Sequence, residues 1–260
     1  MTTGRTVEKY RRVYINGYDM SGFGRTIGPL ELTYDEADLT AIMSDTVKGY
    51  LRNGAQVNCG TFNAVFDNTA TTGVHALSSG TAGTTRNVLT AIGIQAAPAQ
   101  GDPVFGGQFV QKAYQVTDDG GAVTVSIPFS GWSVAASTLL FACPWGDLLH
   151  ANSAVTAANT AAGIDNPTAA ATAKGGYLMY HVLTSSGAGH TATLSVDDSA
   201  DNSTWLALSG ATSGSITVTA GVSGLVALGN TATVRRYLRW QIALGTATSV
   251  TFVSAFFRNY

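Results

Sequence analysis

The clearest alternation of apolar and polar positions in this chain predicts a β-hairpin near its middle. In the segment Phe109–Thr117, apolar side chains lie on one face of an extended strand and glutamines on the other. Residues 118–121 read Asp-Asp-Gly-Gly, which is typical of a tight turn. The return arm alternates again, with apolar residues at Val123, Val125, Ile127 and Phe129.

Two more extended segments are predicted in the first 70 residues. A short strand over residues 13–15 ends at Asn16-Gly17, a pair that tolerates positive φ and so indicates a tight turn. A longer strand is predicted from Ala55 to Phe66. Its apolar residues occupy odd positions before Gly60 and even positions after it, so we expect a β-bulge at that glycine.

One helical region is predicted, between Thr69 and Gly93, with an interruption over residues 78–83. Thr85 is a candidate N-cap, and Gly93 is a candidate C-terminal stop. The apolar residues between them are Val88, Leu89 and Ile92.

From Tyr177 onward, short strand-like runs alternate with turn-prone clusters, which is typical of a small β-sandwich. The segment before them, rich in Ala, Thr and Asn, is interpreted as a connector. The sequence therefore predicts a mainly β protein with a first unit over 1–150, a connector over 151–174 and a C-terminal sandwich over 175–260. The six predicted strands are Tyr177–Leu183, Thr191–Val196, Ser215–Thr219, Gly224–Leu228, Thr233–Ala243 and Ser249–Phe257.

The order of motifs in the first 150 residues resembles the major tail tube protein of long-tailed bacteriophages. A strand with an Asn-Gly turn leads into an acidic segment, Asp35–Tyr50, and then into a strand that reads Gly-Thr-Phe-Asn-Ala-Val-Phe-Asp over residues 60–67. The hairpin at Phe109–Phe129 and the run Pro-Trp-Gly-Asp-Leu-Leu-His at 144–150 continue the resemblance. The segment Asp197–Trp205, with Arg-Tyr-Leu-Arg at 236–239, looks like the sandwich domains that decorate phage structural proteins.

This resemblance implies a tail-tube β-sandwich or barrel with one flanking helix. It also implies a structural virion protein. By the sixfold symmetry of that family, its subunits are expected to form hexameric rings that stack into a hollow conduit for DNA. The expected partners are other copies of the chain and the tail tape-measure, terminator and distal tail proteins, and the expected location is the phage tail, assembled in the bacterial cytoplasm. Residues expected at contacts between subunits are those of the acidic segment and the hairpin: Asp35, Glu36, Asp38, Asp45, Val123 and Val125.

Composition and charge agree with a protein that is buried against copies of itself. Of 260 residues, 45% are hydrophobic and only 12% are charged, below the roughly 25% that is usual in globular proteins. The net charge is −2, so no overall positive field attracts nucleic acid, and DNA is expected to pass without tight binding. No signal peptide and no apolar run of membrane-spanning length are visible, and no membrane association is expected. Cys59 and Cys143 are interpreted as buried thiols, with a disulfide left open.

No motif of known catalytic or cofactor chemistry is visible, so neither enzyme activity nor a cofactor is expected. The four histidines lie far apart in sequence and are interpreted as structural or exposed. The acidic segment 197–201 offers carboxylates that suit calcium, but it lacks the Gly and Glu of an EF-hand loop, so an ordinary capping loop is favoured over a metal site.

The alternative hypothesis is a carbohydrate-binding or adhesion protein. Trp205 follows a polar loop, and a half-exposed tryptophan there is a candidate glycan contact. Trp240 alternates with apolar residues and is expected in the core.

Overall fold

The structure is a computed structural model and describes residues 5–38, 50–118, 120–132, 143–165, 171–187 and 189–259. In these residues the chain is mainly β with one short α-helix, as the sequence predicts. The helices are a 3₁₀ helix over Glu8–Tyr10 and α1 over Val74–Ser78. The strands are β1 Arg11–Ile15, β2 Tyr18–Asp19, β3 Gly24–Gly28, β4 Glu31–Asp38, β5 Tyr50–Asn58, β6 Thr61–Val65, β7 Thr85–Ile92, β8 Pro103–Gln111, β9 Gln115–Asp118, β10 Val123–Trp132, β11 Trp145–Val155, β12 Asn159–Thr160, β13 Ile164–Asp165, β14 Gly176–Ser185, β15 Thr191–Ser199, β16 Trp205–Thr217, β17 Val222–Ala227, β18 Tyr237–Leu244 and β19 Val250–Arg258.

The described strands form one large antiparallel sheet and two smaller ones. The large sheet runs in the order β17-β14-β19-β11-β8-β10-β6-β3, with β7, β1 and β2 branching from β8 and with β9 beside β10. A five-stranded sheet has the order β12-β18-β15-β16, with β13 also beside β18. The third sheet is the hairpin formed by β4 and β5.

The large sheet buries both of its faces where β14 and β19 lie. On one face, Leu178 and Phe252 pack against the five-stranded sheet, in a core that includes Trp240. On the opposite face, Tyr177 and Phe257 stack with their ring centroids 4.4 Å apart. This arrangement confirms a C-terminal sandwich and the core position of Trp240.

The sandwich recruits strands from before residue 175. Strand β11 pairs with β19 from Asp147↔Phe256 to Val155↔Val250, and β12 and β13 both pair with β18. The segment interpreted as a connector therefore contains parts of two sheets. Whether residues 175–260 fold independently of residues 1–150 stays a prediction.

The predicted helix at Thr85–Gly93 is wrong, because Thr85–Ile92 is strand β7. It pairs with β1 on one side and β8 on the other, and Val88, Leu89 and Ala91 are fully buried. A strand covered on both faces loses the period-two alternation, and a short apolar run then imitates a helix. The one described α-helix, α1, lies in the earlier part of the predicted region, and its five residues begin after Gly73.

The strand predicted from Ala55 to Phe66 is two strands in two sheets. Strand β5 ends at Asn58 and pairs with β4, whereas β6 begins at Thr61 and pairs with β3 and β10. Gly60 between them has φ +64°. The change of phase at Gly60 is thus a break between strands and not the predicted bulge.

Candidate functional site

The predicted central hairpin is present over β9 and β10, but its first arm, predicted as one strand over Phe109–Thr117, is divided between β8, which ends at Gln111, and β9, which begins at Gln115. The register of β9 and β10 places three valines on one face. Strands β9 and β10 pair from Val123↔Asp118 to Ser126↔Gln115, with Val125 opposite Val116. Residues directly opposite in an antiparallel pair share a face, as do alternate residues along a strand. Val116, Val123 and Val125 therefore lie on the same side of the sheet.

These valines differ sharply in exposure. Val125 is 1% exposed and belongs to the core around Phe62 and Phe109, whereas Val116 is 49% exposed and Val123 is 39% exposed. The apolar face of the hairpin thus extends beyond the core that covers Val125. Of the two valines predicted at a contact between subunits, only Val123 is at the surface of the folded chain.

Strand β9 forms an edge of the large sheet. All four of its residues are exposed, and among the described strands it pairs only with β10. An edge strand presents backbone N–H and C=O groups to which another strand can add. The edge and the exposed valines lie on the same hairpin.

The acidic segment Asp35–Tyr50 begins as a strand. Asp35, Glu36 and Asp38 lie in β4, which pairs with β5 from Glu31↔Asn58 to Asp38↔Tyr50. Asp45 lies outside the described residues. Contact of these acidic residues with a neighbouring subunit stays a prediction.

Trp205 is half-buried at the start of β16, as expected, but its ring is partly covered. The guanidinium of Arg239 lies 4.5 Å from the ring centroid, and a side chain on Gly163 would collide with the ring edge. Arg239 in turn donates to Asp197, with Nη2 2.8 Å from Oδ2. The arginine is therefore held over the indole by an ion pair, and this limits the ring surface that a sugar could stack on.

The acidic residues at 197–201 have separate partners. Asp197 accepts from Arg239 and Gln241, and Asp198 forms an ion pair with Arg235 over 3.0 Å. Asp201 caps its own turn by accepting from the backbone N–H groups of residues 203 and 204, which lowers the pKa of its carboxyl. Among the described residues, no group of three or more His, Cys, Asp or Glu side chains is arranged to hold a metal ion.

Three titratable groups on strands of the large sheet have shifted pKa values with structural causes. Burial lowers the pKa of His150 to about 4, although its Nδ1 lies 3.0 Å from the carbonyl oxygen of Phe252. Burial lowers the pKa of His181 to about 3 and raises that of Asp147 to about 6. Both histidines are buried in the large sheet, and Asp147 is partly buried near the start of β11.

The two cysteines are free thiols. Cys59 is fully buried, and Cys143 is partly buried. Burial raises the pKa of both thiols, so neither is activated as a thiolate. No helix in the described part of the chain is long and apolar enough to span a membrane.

No family model and no curated protein matches this chain. Among solved structures, the Dit (gp 19.1) protein of SPP1, described as a paradigm of the hub adsorption apparatus in phages that infect Gram-positive bacteria, is similar over 95% of this chain and 98% of its own. The identity is 9% and the TM-score is 0.25. A structure of the Gx strain of infectious bursal disease virus is similar over 95% of this chain and 55% of its own, with 9% identity and a TM-score of 0.27. At these TM-scores neither likeness carries an argument about function.

Proposed function

We propose that this chain is a structural subunit of a long phage tail and that its copies stack as rings into the tube through which DNA passes. The motif order in residues 1–150 supports this proposal by resemblance, and the mainly β architecture is compatible with it. The observation that carries the proposal is the exposed edge of the β9–β10 hairpin, with Val116 and Val123 beside it.

Addition of a strand from a neighbouring subunit would pair the open backbone edge of β9 and cover the exposed valines beside it. The backbone groups of β9 would gain hydrogen-bond partners, and a neighbour that packs against the same face would cover the two valines. Burying apolar area contributes roughly 25 cal/mol per Å², so two half-exposed valines add modestly to each contact. Repetition of that contact around a ring closes the edges, which an isolated subunit leaves open.

The charge distribution is compatible with a conduit that does not retain DNA. Residues 1–150 contain 12 acidic and 9 basic side chains, and the whole chain has a net charge of −2. Tight binding to DNA depends on many phosphate contacts from lysine and arginine. In this proposal the C-terminal sandwich lies outside the tube, because material in the lumen would obstruct DNA.

Sedimentation velocity and negative-stain microscopy of the purified chain over a range of concentrations test the proposal. We expect rings or tubes that accumulate with concentration, either from the chain alone or after addition of tail initiator and tape-measure proteins. A chain that stays monomeric under all of these conditions would contradict the proposal.

A carbohydrate-binding module is the second candidate, and the observation that favours it is a pair of half-buried aromatic residues, Trp205 and Tyr237, on one face of the five-stranded sheet. Strand pairing places Tyr237 opposite Ser199 and Ser199 opposite Trp205, so both aromatic residues lie on the outward face of the five-stranded sheet. Glycan-array binding by a monomeric protein, lost in Trp205→Ala and retained in Trp145→Ala, would favour this function over the tube. Trp145 is a suitable control because it is a 38% exposed tryptophan on a different sheet.

A further inference from the structure

Four basic side chains line one cleft near the start of the chain. The cleft lies between the 3₁₀ helix, β1 and β3, and its basic residues are Lys9, Arg11, Arg12 and Arg25. Glu8 is the one acidic residue in its lining. A protein with a net charge of −2 thus concentrates a formal charge of +3 at one place.

These positive charges are not compensated by ion pairs within the described residues. The ion pairs found there are Arg235–Asp198, Arg236–Asp165 and Arg239–Asp197, and all of them lie in the C-terminal sandwich. Like charges that are close together repel each other, and a bound anion relieves that repulsion.

Backbone carbonyl groups hold two of the guanidinium groups in place. Nη1 of Arg11 donates to the carbonyl oxygen of Ile27 over 2.9 Å and so links β1 to β3. Nη1 of Arg12 donates to the carbonyl oxygens of Lys9 and Arg11, at 3.0 and 2.9 Å. A guanidinium carries five N–H groups, so each has donors beyond these bonds with which to bind a ligand.

The cleft has room for a small anion. Its volume is about 140 Å³, enough for several groups the size of a water molecule. A side chain on Gly24 would come within 2.8 Å of the Phe62 ring, so the glycine lets this wall of the cleft pack closely against that ring.

We infer that this cleft binds a phosphate group. A carboxylate is flat, carries one charge and pairs best with a single guanidinium fork, which would leave most of the cluster uncompensated. A phosphate offers several strong acceptor oxygens and up to two charges, and it can accept hydrogen bonds from groups on different sides. The cations of this cleft come from the 3₁₀ helix, β1 and β3, so they can surround a phosphate more completely than they can a carboxylate.

The test uses the full chain in a phosphate-free, low-salt buffer, titrated with inorganic phosphate in a calorimeter. We expect one phosphate per chain and an affinity that falls about a hundredfold or more in the double variant Arg12→Gln/Arg25→Gln, since each of the two lost charge-assisted hydrogen bonds costs about tenfold or more. Lys112→Gln is the matched control, because Lys112 is exposed and lies outside the cleft. Circular dichroism should show the same fold in all three proteins.

A second titration with a short DNA duplex identifies the source of the phosphate. Duplex binding that is competed by inorganic phosphate and weakened by the double variant would assign the site to a nucleic-acid backbone. Binding of inorganic phosphate with no such duplex binding would assign it to a free phosphate or a small phosphate ester.

Three results would overturn the inference. The first is that the native chain binds neither probe. The second is that Lys112→Gln weakens phosphate binding as much as the double variant does. The third is that the double variant lowers self-association of the chain but leaves phosphate binding unchanged. The last result would show that the cleft takes carboxylates from another copy. None of these measurements depends on whether tubes form, so the phosphate site and the proposed tail function can fail separately.

Discussion

The backbone N–H of Gly17 donates a hydrogen bond to Nδ1 of His181 over 3.0 Å, although 164 residues separate the two in sequence. Gly17 belongs to the Asn-Gly turn between β1 and β2, and His181 lies in β14. Close packing of Gly221 against the Tyr18 ring and a 2.9 Å hydrogen bond from Asn87 to Ser223 reinforce the same junction. The turn that carries the start of the family resemblance is thus joined to the C-terminal part of the chain.

The first prediction is that stability falls as the pH falls from 6 to 4. His181 and His150 have folded-state pKa values of about 3 and about 4, below the unfolded value of 6.5, so the unfolded chain takes up protons that the folded chain does not. Asp147 opposes this effect, because its folded pKa of about 6 exceeds its unfolded value of 3.8. The net difference is about one proton, so the free energy of unfolding should fall by about 1.4 kcal/mol per pH unit in this window.

Urea unfolding at several pH values measures this slope, and His181→Gln should bring it close to zero. Glutamine keeps an acceptor within reach of Gly17 but does not titrate. His190→Gln is the control, since His190 lies in a partly exposed turn and contacts Ser186. A slope that His181→Gln leaves unchanged would show that the Gly17–His181 contact does not govern the acid response.

The second prediction separates assembly from folding at the hairpin. Val116→Lys/Val123→Lys should abolish rings or tubes and shift the melting temperature little, because both side chains are already exposed. Val125→Asp should instead unfold the protein, because it places a charge in the core. Microscopy and thermal unfolding of both variants check this, and tubes of normal length from the double-lysine variant would show that the hairpin is not at the interface.

The third prediction concerns truncation before Gly175. If residues 175–260 fold separately, as the sequence predicts, the fragment 1–174 should assemble into thinner tubes. The observed pairing favours a different outcome: β11 loses β19, and the core around Leu148 loses Tyr177 and Phe257. We therefore expect an insoluble or protease-sensitive fragment, and limited proteolysis with circular dichroism distinguishes the two outcomes.

The sequence predicted local features of the fold well, and it predicted features that depend on distant contacts poorly. The β9–β10 hairpin and the Asn16-Gly17 turn are set by neighbouring residues, and both are confirmed. Strand β7 was misread because its burial on both faces comes from β1 and β8 and not from its own pattern. The exposed position of Val123 and the buried position of Val125 depend on where the core ends, which alternation alone does not reveal.

Three of the four basic residues of the cleft, Lys9, Arg11 and Arg12, lie within four positions of one another in the sequence. Arg25 reaches the cleft from β3, and the pairing that places β3 beside β6 involves residues almost 40 positions apart in sequence. Charge counting along the chain could have identified Lys9, Arg11 and Arg12, but not their meeting with Arg25. The contact between Gly17 and His181 was unpredictable for the same reason.

The last prediction is that Gly60 is required for the change of direction between β5 and β6. Its φ of +64° is unfavourable for other residues by about 1–2 kcal/mol, and a Cβ there would collide with the backbone of Gly28 and Pro29. Gly60→Ala should therefore lower the free energy of unfolding by more than about 3 kcal/mol. Gly83→Ala is the matched control, because Gly83 has φ +83° but open space around it, so only the cost of about 1–2 kcal/mol for the backbone applies. Equal destabilisation by the two variants in urea unfolding would show that the contact between Gly60 and the 28–29 backbone contributes nothing, and that β5 and β6 are oriented by their sheet partners alone.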